Sequence, residues 1–225
     1  MSKKQKRTGY PVNTAQQDRS KVEVVKDGVR VIENVFIPLS DGTKLAARLW
    51  LPVDAEINPV PCVLEYIPYR KTDGTRGRDE PMHGYFARHG TAAIRVDQRG
   101  SGESDGLMED EYIKQEQDDA IEVIAWIAAQ TWCSGNVGMM GKSWGGFNCL
   151  QVAMRRPPAL KAVLSVCSTN DPTSVALLVR NLLRGPVCHH VHRHEPTVRE
   201  FRDVALSALR ASAAACLYKH QPIHP

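Results

Sequence analysis

The chain has 225 residues, of which 42% are hydrophobic, 24% charged and 6% aromatic. These fractions exclude collagen-like, low-complexity and wholly disordered proteins. The net charge of +4 sits in residues 172–225, which hold seven of the 29 Lys and Arg but only three of the 25 Asp and Glu. The rest of the chain is neutral, so no basic groove runs through it and no nucleic-acid partner is expected. No window carries the roughly 18 apolar residues that a membrane-spanning helix needs, so no membrane partner is expected either. The basic start, residues 1–7, leads into polar residues and not into an apolar stretch, unlike a secretory signal. Six cysteines lie scattered without C-x-x-C pairs. They predict reduced thiols in a cytoplasmic protein, with no disulfide framework, zinc site or cofactor.

In chain order, residues 1–22 read as an unordered polar lead. Residues 29–52 read as a hairpin in which Asp41-Gly42 turns between two apolar runs. A strand opened by prolines follows at 59–67, then a polar loop at 68–81. A short helix is expected at 82–89, stopped by Gly90. A strand at 91–96 runs into the turn-rich segment 97–106. The strongest helix signal spans 111–130, with Ile121, Ile124 and Ile127 on one face and acids opposite. A strand at 137–140, a helix at 144–155 and a strand at 160–166 complete the pattern. Strands alternating with helices predict an α/β fold: a mostly parallel sheet flanked by helices on both faces.

Gly141-Lys142-Ser143-Trp144-Gly145 matches G-x-S-x-G between an apolar strand and an amphipathic helix, the setting in which that pattern makes a nucleophile elbow. Such a bend puts Ser143 at a helix N-terminus, where unpaired N–H groups favour developing negative charge. The backbone N–H of Trp144 is then one oxyanion donor. A plain tight turn with an N-capping serine would read the same way locally. Gly-Lys-Ser also ends a P-loop, but that loop needs glycine at 136, where Asn136 stands.

Four segments together resemble the acyl hydrolases of the Xaa-Pro dipeptidyl-peptidase and cocaine-esterase type, a branch of the α/β-hydrolases. They are Pro38 to Arg48 on the first hairpin, Pro68-Tyr69-Arg70-Lys71, the run from Asp97 to Gly106, and Gly138 to Gly146. The resemblance covers roughly residues 30–171. It implies that Ser143 is the acyl-accepting nucleophile and that the Tyr69 hydroxyl is the second oxyanion donor beside the Trp144 amide. It makes the 97–106 loop architectural, with Asp97 and Arg99 pairing across the turn. The substrate it implies is a small ester or peptide, cleaved through an acyl-enzyme.

A serine hydrolase of this fold also needs an acid and then a histidine downstream of the serine. The resemblance implies an inserted cap and further strands there. Residues 172–225 read instead as a divergent basic tail rich in histidine and alanine, so the hydrolase domain is expected to span 23–171, to be truncated before its cap and last strands, and to be impaired by loss of the triad acid and histidine. Three readings of the tail stand: an aberrant end on the gene product, a rebuilt triad using Asp171 or Asp203 with one tail histidine, or a metal-binding cluster of His189, His190, His192 and His194. A sheet cut at this point leaves an edge unpaired, which predicts self-association. The alternative to an enzyme is a catalytically inactive fragment acting as a binding or assembly module.

Overall fold

The computed structural model describes residues 23–168; the polar lead and the tail, with Asp171, Asp203 and the His189–His194 cluster, lie outside the described residues. Among the described residues, seven strands form one sheet. They are β1 (Glu23–Lys26), β2 (Val29–Pro38), β3 (Lys44–Pro52), β4 (Val60–Ile67), β5 (Ala92–Asp97), β6 (Cys133–Lys142) and β7 (Leu160–Val166). Three helices connect them: α1 (Arg76–Arg88), α2 (Lys114–Ala128) and α3 (Trp144–Met154). The strand order is β1-β2-β3-β5-β4-β6-β7. The hairpin-linked strands pair antiparallel, β1 with β2 and β2 with β3, as does β3 with β5, whereas β5, β4, β6 and β7 run parallel. Parallel neighbours need crossover connections, and α1, α2 and α3 supply them.

The helices cover both faces. On one side Met82, Phe86 and Ala87 of α1 pack on Val29, Trp50, Val63, Ala93 and Met140. On the other, Ala120, Val123, Ile124 and Ile127 of α2 and Cys149 and Val152 of α3 pack on Leu49, Leu64, Ile94 and Met139. A strand covered on both faces has no polar side to present, which is why β5 is buried at all six positions.

Several elements are longer than the sequence predicts. β1 has no counterpart in the sequence pattern; it is exposed along its length and pairs with β2 across Asp27-Gly28, both at positive φ (51° and 74°). That two-residue Asp-Gly turn suits the twist of a hairpin. α1 begins at Arg76, six residues before the expected start, with Pro81 inside it. Its first turn is held by Thr75, whose Oγ1 lies 2.6 Å from Asp79 Oδ2 and whose carbonyl accepts the Asp79 amide at 2.9 Å. α2 begins at Lys114, later than expected. The residue at its third position, Glu116, reaches back to the Tyr112 amide at 2.8 Å, in the manner of a capping box. β6 extends well beyond 137–140 at both ends.

Candidate active site

The bend between β6 and α3 carries the site. Ser143 stands there at φ 56°, ψ −116°, a conformation that non-glycine residues adopt only where their surroundings over-determine it. Two features impose it. The Ser143 amide donates to the Val166 carbonyl at 2.9 Å, tying the bend to the end of β7. The strand and helix also pass so closely that a Cβ on Gly141 would lie 2.3 Å from the backbone carbon of Gly145. A side chain at Gly145 would meet Ile67, and one at Gly146 the Val166 carbonyl oxygen at 2.8 Å. The side chain of Ser143 is thereby turned out, and the residue is exposed. Trp144 is the first residue of α3, where backbone N–H groups have no partner within the helix.

Tyr69 comes from the loop after β4. Asp97, fully buried at the end of β5, accepts the Lys71 amide at 2.7 Å and the Glu103 amide at 3.3 Å. Lys71 Nζ pairs with Glu103. The loop is thus clamped on both sides of its turn, and it brings the Tyr69 ring edge-on to the Trp144 indole, centroids 6.4 Å apart. Partial burial, reinforced by the Glu111 carboxylate, raises the Tyr69 phenol above its usual pKa, so it stays a neutral donor at neutral pH. All three residues singled out in the sequence therefore share one surface: Ser143 and Trp144 adjoin at the bend, and Tyr69 faces Trp144.

The predicted pair between Asp97 and Arg99 does not form. Asp97 has Arg95 nearby at 3.9 Å. Arg99 instead forks onto Asp119 of α2 (Nε–Oδ2 2.7 Å, Nη2–Oδ1 2.9 Å) and reaches Asp41 at 2.8 Å and Thr43 at 2.6 Å in the turn between β2 and β3. Gly102 lies against Asp97 so closely that a Cβ there would overlap its carboxylate at 1.9 Å. Asp97 still belongs to β5, whereas Arg99 lies inside the turn closed by the Ser101 amide on the Gln98 carbonyl at 2.9 Å, from which it reaches α2 and the β2–β3 turn. The loop is architectural, as expected, but through Arg99 and α2.

Two further aromatic residues and a carboxylate belong to this surface, although sequence reasoning did not single them out. Tyr112, at φ 61°, packs against Trp144 at 5.3 Å and Phe147 at 5.1 Å between centroids. Its phenol is pushed up to about 12, chiefly by burial and then by Glu111, Tyr69 and Glu116. Glu116 is buried and accepts from the Trp144 indole at 2.7 Å and the Gln98 amide at 2.8 Å. The one available signal is an acid near the start of the helix expected at 111–130.

Neither histidine among the described residues approaches Ser143. His89 is exposed, its Nδ1 2.8 Å from the Tyr85 carbonyl. His83 is on the buried face of α1, with Glu65 and Asp79 close enough to form a three-ligand set. The guanidinium of Arg78, however, lies 2.6 Å from Glu65 and 2.7 Å from Asp79, and that of Arg95 3.3 Å from Asp79. Guanidinium charge already fills the role of a cation among these carboxylates. A cavity of about 250 Å³ is lined by Tyr66, Gln98, Arg99, Ile113, Glu116 and Asp119 among others, and one of about 310 Å³ by Arg48, Lys71, Thr72 and Arg76. Ser143 lines neither of the two and faces outward beside Trp144.

A family model described as X-Pro dipeptidyl-peptidase (S15 family) matches residues 41–183, continuing past Asp171. A cocaine esterase of Rhodococcus is 35% identical over 151 residues, which cover 66% of this chain and 25% of that protein. The chain thus spans about a quarter of the length of the curated relatives it matches. Among solved structures, a CocE/NonD family hydrolase of Staphylococcus aureus superposes with a TM-score of 0.56 at 24% identity, covering 69% of this chain and 32% of that one. An α-amino acid ester hydrolase superposes with a TM-score of 0.50 at 25% identity, covering 69% and 28%. The fold is that of an α/β-hydrolase.

Proposed function

The chain belongs to the X-Pro dipeptidyl-peptidase (S15) family, and on that footing we propose that it carries the nucleophile half of a serine hydrolase, cleaving ester or amide bonds through an acyl-enzyme on Ser143. The observation that carries this reading is an exposed serine held at φ 56° where strand and helix meet without room for side chains. In the proposed step Ser143 Oγ attacks the substrate carbonyl carbon while its proton passes to a base. The carbonyl oxygen becomes an oxyanion that accepts from the Trp144 backbone N–H and the Tyr69 O–H. Collapse of the tetrahedral intermediate expels the alcohol or amine with that proton, and water later releases the acid. One such oxyanion donor is worth roughly 3–4 kcal/mol of barrier.

Neither histidine among the described residues is placed to be that base, since His83 and His89 are engaged elsewhere. The same fact favours the second reading, a fragment that binds without turnover. A fluorophosphonate, which reacts with activated serines, distinguishes the two. Ser143 is expected to label in the full chain and Ser143→Ala not to, and Tyr69→Phe is expected to slow the reaction about 100-fold or more. Equal labelling of wild type and Ser143→Ala would remove the enzymatic reading.

A further inference from the structure

We infer that Glu116 is the positioning residue of this site: one buried carboxylate that fixes both the residue following the nucleophile and the aromatic wall beside it. Its two oxygens accept three hydrogen bonds from three separate segments. Oε1 takes the Trp144 indole Nε1 at 2.7 Å and the Gln98 amide at 2.8 Å, and Oε2 takes the Tyr112 backbone N–H at 2.8 Å. Those segments are the start of α3, the turn after β5 and the entry to α2. Glu116 is only 8% exposed, and a buried carboxylate accepting three charge-assisted bonds holds its partners far more tightly than a solvated one.

Two of the three partners are structurally unusual. Tyr112 sits at φ 61° with no glycine to ease it, and Trp144 follows Ser143 at φ 56°. Such conformations cluster at functional sites and persist only where neighbours enforce them. Glu116 is a common anchor for both. It holds the Tyr112 main chain, so that the Tyr112 ring packs on Trp144 and Phe147, and it holds the far end of the Trp144 ring, against which Tyr69 stacks edge-on. The Trp144 amide and the Tyr69 phenol, the two proposed oxyanion donors, are therefore aligned through one indole whose orientation Glu116 sets.

The catalytic consequence rests on the acyl-transfer reading above; the anchoring itself does not. The test uses the full chain with ¹⁵N-labelled tryptophan and the variants Glu116→Gln and Glu116→Ala, with Trp144→Phe to identify the Trp144 indole resonance. Glutamine at 116 can keep at most two of the three bonds, because one end of its amide donates. The Trp144 indole resonance is expected to move in both variants while those of Trp50, Trp126 and Trp132 stay. Fluorophosphonate labelling of Ser143 is expected to slow about 10- to 100-fold in Glu116→Ala, and by less in Glu116→Gln, at unchanged final amplitude. A merely structural role would lower the amplitude, through loss of folded protein, and leave the rate constant alone.

An unmoved indole resonance in Glu116→Ala would overturn the inference, and so would a moved resonance with an unaltered labelling rate. A wild type whose Ser143 does not label would sink the acyl-transfer reading instead. In that case the resonance alone, which needs no reactive serine, decides whether Glu116 anchors Trp144.

Discussion

At the scale of single residues the site is built on strain and clearance. Ser143 at φ 56° costs on the order of 1–3 kcal/mol relative to a relaxed residue, and glycine carries no such cost. Ser143→Gly is therefore expected to stabilise the chain by about 1 kcal/mol or more in thermal or urea melts, while Ser143→Ala, which keeps a Cβ, stays close to wild type. Gly141→Ala should do the reverse. Its methyl would meet the Gly145 backbone at 2.3–2.6 Å, where neither strand nor helix can yield cheaply, and a loss of about 3 kcal/mol or outright misfolding is expected. Equal stability of Ser143→Gly and Ser143→Ala would show that the bend stores no strain.

At the scale of elements, α1 is fastened to the sheet by a buried charge cluster whose titration sets a pH dependence. His83 Nδ1 lies 3.1 Å from the Asp79 carbonyl oxygen, which can only accept, so that nitrogen carries the proton. Burial, helped by Arg78 and Arg95 against the opposing pull of Asp79, lowers the imidazole to about 4. Between pH 6.5 and 4 the unfolded chain binds a proton there and the folded chain does not, so stability falls as pH is lowered across that window. The loss approaches about 3 kcal/mol. Glu65, raised by burial, works in the opposite sense, losing its contribution as pH rises through its folded value. Asp79, held low, adds a loss only below about pH 4. Melts at pH 7.5 and 5 should therefore differ strongly in wild type and less in His83→Asn, which can keep the bond to the Asp79 carbonyl; equal slopes would contradict the assignment. This cluster also shows what the sequence could not disclose. The Asp41-Gly42 turn, the Gly90 stop at φ 75° and the strand–helix alternation were legible because each depends on neighbours along the chain. The start of α1 at Arg76 was not, because Asp79, Glu65 and Arg95 meet only in the folded sheet. Likewise Ser143, Tyr69 and Trp144 were marked by motifs, while Glu116 and Tyr112 have no local pattern beyond an acid near a helix start.

At the scale of the whole molecule, the outer edge of β7 meets no other strand among the described residues. None of its residues is fully buried and Val163 is 37% exposed, in contrast to the fully buried β5. We propose that this edge pairs with a second copy of the chain, since an unprotected strand offers its free N–H and C=O groups to any other. Light scattering should report oligomers that Val163→Lys reduces, whereas a monomeric wild type would contradict the proposal. The chain also spans only about a quarter of its curated relatives, so reactivity at Ser143 in this chain is the central question. Mass spectrometry of the intact chain after fluorophosphonate treatment, followed by peptide mapping, answers it directly. The account predicts one adduct, on Ser143, absent from Ser143→Ala; an adduct elsewhere, or none, would contradict it.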